Sequence, residues 1–138
     1  MAKWVDAGEN RVANILFKAT AVDANLYLGI YTDTTEPPET ANLPTQGSPI
    51  TELATAFGYA RANQVLARGT WTITADHADY AQLTLTASGG AWANCYGYFI
   101  ATTSDNSGVL LCVEHFTGGP FNVPDGGSIK ITPKITVA

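Results

Sequence analysis

The side chains that could take part in catalysis in this sequence are led by two histidines, His77 and His115. His77 lies between Asp76 and Asp79, and a Ser-His-Asp hydrolase needs a histidine that a carboxylate orients beside a nucleophile. The same DHAD segment separates two stretches of strand-like pattern, and polar turns commonly hold such groups. We therefore interpret it as a connection between strands. We expect no catalytic residue in the chain.

A metal site would draw on both histidines and on the two cysteines, Cys95 and Cys112. Together they make a Cys2His2 set, but their spacing does not fit a zinc finger. Cys112 and His115 are three residues apart, so on one strand they face opposite sides. The glycines of TGGPFNVPDGG have no helix after them, as a phosphate-binding loop requires. We expect no metal and no cofactor.

The two cysteines also raise the question of a disulfide. If residues 93 to 116 form a hairpin that turns near Asp105 and Asn106, Ile100 rather than Cys95 lies opposite Cys112. Misaligned cysteines are too far apart to bond. Buried free thiols are the favoured interpretation, and a bonded pair stays the alternative.

Sugar chemistry is a further possibility that depends on residues meeting in space. Paired carboxylates hydrolyse glycosides, and exposed aromatic side chains on a β-sandwich can bind carbohydrate. The aromatic candidates are Trp92, Tyr96 and Tyr98, although aromatic residues in strands usually belong to a core or to a subunit interface. The candidate carboxylates are Asp76, Asp79, Glu114 and Asp125.

Composition narrows the class of protein. The 138 residues predict a single domain, residues 1–138, and only 14% of them are charged. The net charge of −5 and seven scattered basic residues argue against nucleic acid and against an anionic membrane surface. The N-terminus has no secretory pattern, and no apolar run approaches the roughly 18 residues that span a bilayer.

One helix is predicted at the N-terminus, within an arm-and-helix segment of residues 1–20. Asp6 can cap a helix over residues 6 to 19, with Glu9 three positions later, as in a capping box. An apolar face follows at helical spacing and should pack on the rest of the domain. Its members are Val12, Ile15, Leu16 and Ala19.

The rest of the chain favours strands. Segments such as LYLGIYT, GTWTITA and AQLTLTAS alternate between apolar and polar residues with a period of two. Residues 33–49 form a Pro-rich, acidic segment, which predicts an exposed loop. Residues 50–66 are ambiguous, but Gly58 inside a helix would cost about 1 kcal/mol. We therefore predict a loop over 50–58 and a strand over 59–67.

The pattern as a whole predicts an all-β, jelly-roll-like antiparallel sandwich with one short N-terminal helix. It also resembles a family of small tailed-bacteriophage virion proteins from about Val12 onward. The strongest matching motifs are Glu52 with Gly58-Tyr59-Ala60-Arg61, and YGYFI (96–100) followed by GVLL (108–111). Members of that family are jelly-roll-like sandwiches that decorate capsids or belong to tails.

The resemblance implies a capsid decoration or cement protein, made in the host cytoplasm and located in the virion. The implied partners are further copies, as a homotrimer, and the major capsid protein. We expect the contact residues to be Trp4 on the N-terminal arm, which needs an external pocket, with Tyr96, Tyr98 and Phe116. The alternative is a receptor-binding or carbohydrate-binding module of the tail.

Overall fold

A computed structural model describes residues 1–44 and 48–136. Within them lie one α-helix, a short 3-10 helix (Arg61–Asn63) and twelve strands. The α-helix is α1 (Asp6–Lys18), and the strands are β1 (Lys3–Trp4), β2 (Asn25–Tyr31), β3 (Val65–Ala67), β4 (Thr72–Ile73), β5 (His77–Asp79), β6 (Leu83–Thr86), β7 (Trp92–Cys95), β8 (Gly97–Ala101), β9 (Leu110–His115), β10 (Phe121–Val123), β11 (Ser128–Ile131) and β12 (Lys134–Thr136).

The strands form two layers. One layer is an antiparallel sheet in the order β1-β9-β8-β2-β3. The other is built from three small antiparallel sheets, β10-β7, β11-β6 and β12-β5-β4. The predicted all-β antiparallel sandwich with one N-terminal helix is confirmed.

Alternation along the central strands divides the apolar side chains between two cores. Leu28, Ile30 and Ile100 face the core between the layers, where Leu85 and Ile131 of the second layer meet them. The next residues along the same strands, including Tyr31 and Phe99, face the outside of the large sheet. β8 is buried at every position, so both of its faces are covered within the domain.

The Pro-rich segment is what covers the outer face of the large sheet. Pro37, Ala41 and Leu43 are buried, and Leu43 and Ile50 belong to the same cluster as Phe99. The prediction of an exposed loop over residues 33–49 is therefore wrong for these positions. Its apolar residues sit among prolines and threonines without a regular period, so the pattern did not reveal them. Residues 45–47 of this segment lie outside the described residues.

Helix α1 begins and ends close to the predicted positions, but its cap and its packing differ. Val5 is the N-cap, and its hydrocarbon side chain can make no cap bond; its backbone is extended, and its amide donates a 3.0 Å hydrogen bond to the Leu111 carbonyl. Asp6 is already inside the first turn. The helix lies so close to β9 that a Cβ on Gly8 would be 2.2 Å from the Leu111 carbonyl oxygen.

The middle of the chain corrects two predictions. Phe57 and Gly58 form a turn, the 3-10 helix begins at Arg61, and the strand begins only at Val65; the positive φ of Gly58, 84°, explains why no α-helix forms. DHAD is strand β5 rather than a connection, since it pairs with both β4 and β12. Further along the chain, the segment TGGPFNVPDGG contains strand β10.

The hairpin prediction is confirmed in its register. Ile100 pairs with Cys112, and Cys95 and Cys112 are free and buried. The C-terminal strand is interrupted at Pro133, between β11 and β12, as its missing donor requires. No helix in the described part of the chain is long and apolar enough to cross a bilayer.

Candidate interaction surface

The histidine between two aspartates lies within hydrogen-bond distance of both of their carboxylates, at strand β5. His77 Nδ1 lies 2.5 Å from Asp76 Oδ1, and Nε2 lies 2.9 Å from Asp79 Oδ2. Asp79 also lies 3.8 Å from Lys134 Nζ on the paired strand. Because both ring nitrogens are engaged by carboxylates, the imidazole has no free nitrogen with which to accept a proton from a nucleophile.

The second histidine closes a small aromatic group at the edge of the outer core. His115 Nδ1 lies 2.9 Å from the hydroxyl of buried Tyr31, and the ring stacks on Tyr96 with centroids 5.8 Å apart. Burial raises the pKa of Tyr31, so the hydroxyl stays protonated. Among residues 1–44 and 48–136, no group of three or more His, Cys, Asp or Glu side chains could hold a metal ion.

The motif that carried the family resemblance forms a buried polar network. Arg61 is 5% exposed, and its Nε and Nη2 donate to Glu52 Oε1 at 3.1 Å and Oε2 at 2.7 Å. The Tyr59 hydroxyl donates to the same Oε1 at 2.7 Å and accepts the Ile30 amide at 2.9 Å. The guanidinium carbon also lies 5.1 Å from the ring centroid of Phe99.

The network also fastens two loops. Arg61 donates to the Asp105 carbonyl at 2.8 Å and to Asn106 Oδ1, and Asn106 Nδ2 donates to the Pro44 carbonyl at 2.8 Å. The β8-β9 turn and the Pro-rich segment are thus held to one buried cation. Glu52 and Arg61 satisfy each other and their neighbours, so we assign the network a structural role.

Helix α1 carries an exposed apolar strip of the kind that makes protein contacts. We call this strip the ridge, and it consists of Val12, Leu16 and Phe17. Leu16 is 70% exposed and Phe17 is 83% exposed. The prediction that Val12, Ile15, Leu16 and Ala19 pack inward is therefore wrong, apart from half-buried Ile15. The helix turns its small residues toward β9 because Gly8 allows the two backbones to approach.

An apolar groove runs beside the ridge. It consists of two adjoining cavities of about 270 and 340 Å³, which share Trp4, Leu26 and Arg68. The first cavity lies against α1, and the second ends at Trp71 and Ile73, of which Ile73 is 67% exposed. We call these two cavities the groove. Ridge and groove together make one continuous apolar surface of the kind that marks protein contacts.

Arg68 is the charged residue of the groove that forms no ion pair among the described residues. Arg68 lines both cavities and is exposed, and it forms no ion pair or hydrogen bond with any described residue. Arg11, at the other side of the first cavity, is held instead by Asp23 at 3.0 Å. A partner that fills the groove would therefore meet one free cation among apolar side chains.

The predicted contact residues are spread over different environments. Trp4 lines the groove, but its arm is paired into the domain through β1, and its indole donates to the Thr136 carbonyl at 2.7 Å. The expected need for an external pocket is thus wrong. Tyr96 and Phe116 are half-buried, away from the residues that line the groove. Tyr98 is 2% exposed, so it belongs to the core and cannot serve as a contact.

The aromatic candidates for carbohydrate binding are mostly buried. Trp92 is buried, and its indole donates to the Phe57 carbonyl at 3.0 Å. Since Tyr98 is also buried, only Tyr96 of the three offers any surface to a sugar. The structure does not bring them together as an exposed platform.

Sequence reasoning missed Leu26, Arg68, Trp71 and Ile73 as parts of a surface. One signal was present in α1, where Leu16 and Phe17 are adjacent and cannot both lie on a narrow buried face. Small Ala7 and Gly8 on the opposite side indicate which face approaches the sheet. No comparable signal marks the groove, because it gathers residues from distant parts of the chain.

No model of a known protein family matches this chain, and no curated protein matches it in sequence. The resemblance to tailed-phage virion proteins therefore rests on the short motifs themselves.

Proposed function

We propose that this chain is a structural protein of a tailed-bacteriophage virion, a decoration or cement protein on the capsid exterior. In this role it acts by binding, without turnover of a substrate. It joins copies of itself to the major capsid protein and holds neighbouring shell subunits together.

The observation that carries this proposal is the uncovered apolar surface made by the ridge and the groove. Leu16 and Phe17 stand outside a core that is otherwise well closed by the Pro-rich segment. Leaving such a surface in water is unfavourable, at roughly 25 cal/mol for each Å² of apolar area. A protein that works in contact with neighbours removes that cost on assembly.

The stiffness of the domain supports the same role. Arg61 and Glu52 fasten the β8-β9 turn and the Pro-rich segment to the large sheet, and β1 holds the N-terminal arm. A cement protein must transmit force between shell subunits. A scaffold whose loops are tied to a buried ion pair is suited to that task.

The tail module remains the competing proposal, and the number of copies separates the two. A cement protein is present in proportion to the capsid subunits, and a tail component is present in far fewer copies. Quantitative mass spectrometry of purified virions, together with antibody labelling in electron micrographs, measures both number and position. Labelling over the capsid at high copy number supports cementing; a signal confined to the tail contradicts it.

A further inference from the structure

We propose that the occupant of the groove is a second copy of this chain, whose α1 ridge enters the groove while its own groove receives the ridge of the first. The inference rests on the proposed function in one respect, that this surface is a protein contact. It adds the partner and the symmetry, which are two copies about a two-fold axis in place of the homotrimer implied by the resemblance.

The two halves of the surface are complementary in shape and polarity. The ridge presents large, convex side chains, Leu16 and Phe17, and the groove presents a concave wall from Trp4 and Leu26 to Ile73. Each copy carries both halves side by side, since Val12 and Leu16 border the first cavity. A two-fold interface requires such a patch, because each half must meet its counterpart on the other copy.

The charges on the two halves are complementary as well. Glu9 lies two helical turns before Leu16 on the same face of α1, roughly 10 Å away along the helix axis. It is exposed and forms no ion pair among the described residues, as is true of Arg68 in the groove. A ridge that fills the cavity of Trp71 and Ile73 brings its Glu9 toward Arg68, where the two cavities meet.

A second copy accounts for these features better than other occupants. A single arginine in an apolar groove is a poor site for nucleic acid, which requires several cations that follow the phosphates. An anionic lipid surface likewise needs clustered basic residues. The groove and Arg68 together fit an apolar segment that carries one carboxylate. Helix α1 of a second copy presents such a segment, with Leu16 and Phe17 as its apolar residues and Glu9 as its carboxylate.

The test is the mass of the protein in solution, measured by sedimentation velocity over a range of concentrations. The wild-type chain should move from one to two times 14.6 kDa as concentration rises. Leu16→Glu should remain monomeric. Because Leu16 is largely exposed, this variant should keep its fold, which circular dichroism verifies.

Charge exchange tests the pairing itself. Arg68→Glu and Glu9→Arg should each raise the dimer Kd about tenfold or more, and the double variant should restore it to within about threefold of wild type. Lys130→Glu and Glu39→Lys are matched controls at exposed positions outside the groove, and each should leave the Kd unchanged.

Several outcomes would overturn the pairing: a wild-type chain that stays monomeric, a trimer, a dimer that survives Leu16→Glu, or a double variant that is not restored. Incorporation into virions is scored separately. A monomeric protein that still enters virions removes this inference and leaves the proposed function intact. A dimer that never enters virions supports this inference and contradicts the proposed function.

Discussion

The Arg61 guanidinium and the Glu52 carboxylate form a two-point ion pair at the heart of this domain, with N–O distances of 3.1 and 2.7 Å. The two residues are nine positions apart in the sequence. The tyrosine and the arginine of GYAR both bind the same carboxylate, and the turn at Gly58 brings them to it.

Removing the cation of this pair should strongly destabilise the folded protein. Arg61→Met leaves a buried carboxylate and two loop acceptors, the Asp105 carbonyl and Asn106 Oδ1, without a partner, and we expect the free energy of unfolding to fall by about 3–5 kcal/mol. The matched control is Arg11→Met, which breaks the half-exposed pair with Asp23 and should cost about 1 kcal/mol. Urea unfolding of both variants measures the difference. Equal losses of unfolding free energy would show that the buried Arg61 network stabilises the domain no more than the Arg11–Asp23 pair does.

The close approach of α1 to β9 gives a second prediction. In Gly8→Ala the added methyl meets the Leu111 carbonyl, so the helix must lift away, at a cost of about 1–3 kcal/mol despite the better helix propensity of alanine. Asn10→Ala, on the exposed side of the same helix, should change stability by less than about 0.5 kcal/mol. Thermal unfolding compares the two, and a Gly8→Ala variant as stable as wild type would contradict the packing.

Buried tyrosines predict a loss of stability in alkali. Burial and a neighbouring carboxylate raise the pKa of Tyr59 and Tyr98 above the ordinary value near 10, and burial does the same for Tyr31. Above about pH 10 the unfolded chain therefore releases protons that the folded chain keeps. The stability present below that pH is lost as pH rises, by up to about 1.4 kcal/mol per pH unit for each tyrosine.

Urea unfolding at a series of pH values measures that slope. Tyr98→Phe removes one of the three groups and should make the slope shallower by about 1.4 kcal/mol per pH unit, apart from its effect at neutral pH. The two thiols add their own fall from about pH 8.5, and because they are present in both proteins their contribution cancels in the comparison. An unchanged slope would mean that Tyr98 is not kept protonated by the fold.

Both thiols should be protected in the native protein. Burial raises the pKa of Cys95 to about 11 and raises that of Cys112 further, and only the thiolate reacts readily. At pH 8 a thiol reagent should therefore label neither cysteine until urea unfolds the chain, when two thiols per chain appear. Rapid native labelling would contradict the burial, and no thiol after unfolding would reveal a disulfide.

The sequence predicted those parts of the fold that depend on local period. The alternation in β2 and β6 and the turn residues of the β8-β9 hairpin predicted strands, faces and the Ile100–Cys112 register. It failed where tertiary contacts decide the outcome. The Pro-rich segment has no period, but it is buried because the large sheet has an apolar outer face that must be covered.

The contact surface was even harder to predict from the sequence, for the same reason. Periodicity places Leu16 on an apolar face of a helix, but the closeness of Gly8 to Leu111 determines which face turns inward. Trp4, Leu26 and Ile73 come from three strands, and only the folded topology brings them to one groove. Tyr98 was selected as a contact for its size and type, and its hydroxyl instead binds Glu114 at 2.6 Å inside the domain.

The most direct measurement of the account is whether this protein secures capsids, and whether it does so only when the ridge that joins its copies is intact. Capsids that lack the protein are mixed with the wild-type chain, Leu16→Glu, or the control Thr84→Glu at an exposed position on β6, and DNA release is followed on mild heating. We predict that the wild type and Thr84→Glu bind and delay release, and that Leu16→Glu does neither. Protection by Leu16→Glu equal to wild type, or release that is unaffected by the wild-type chain, would contradict the account.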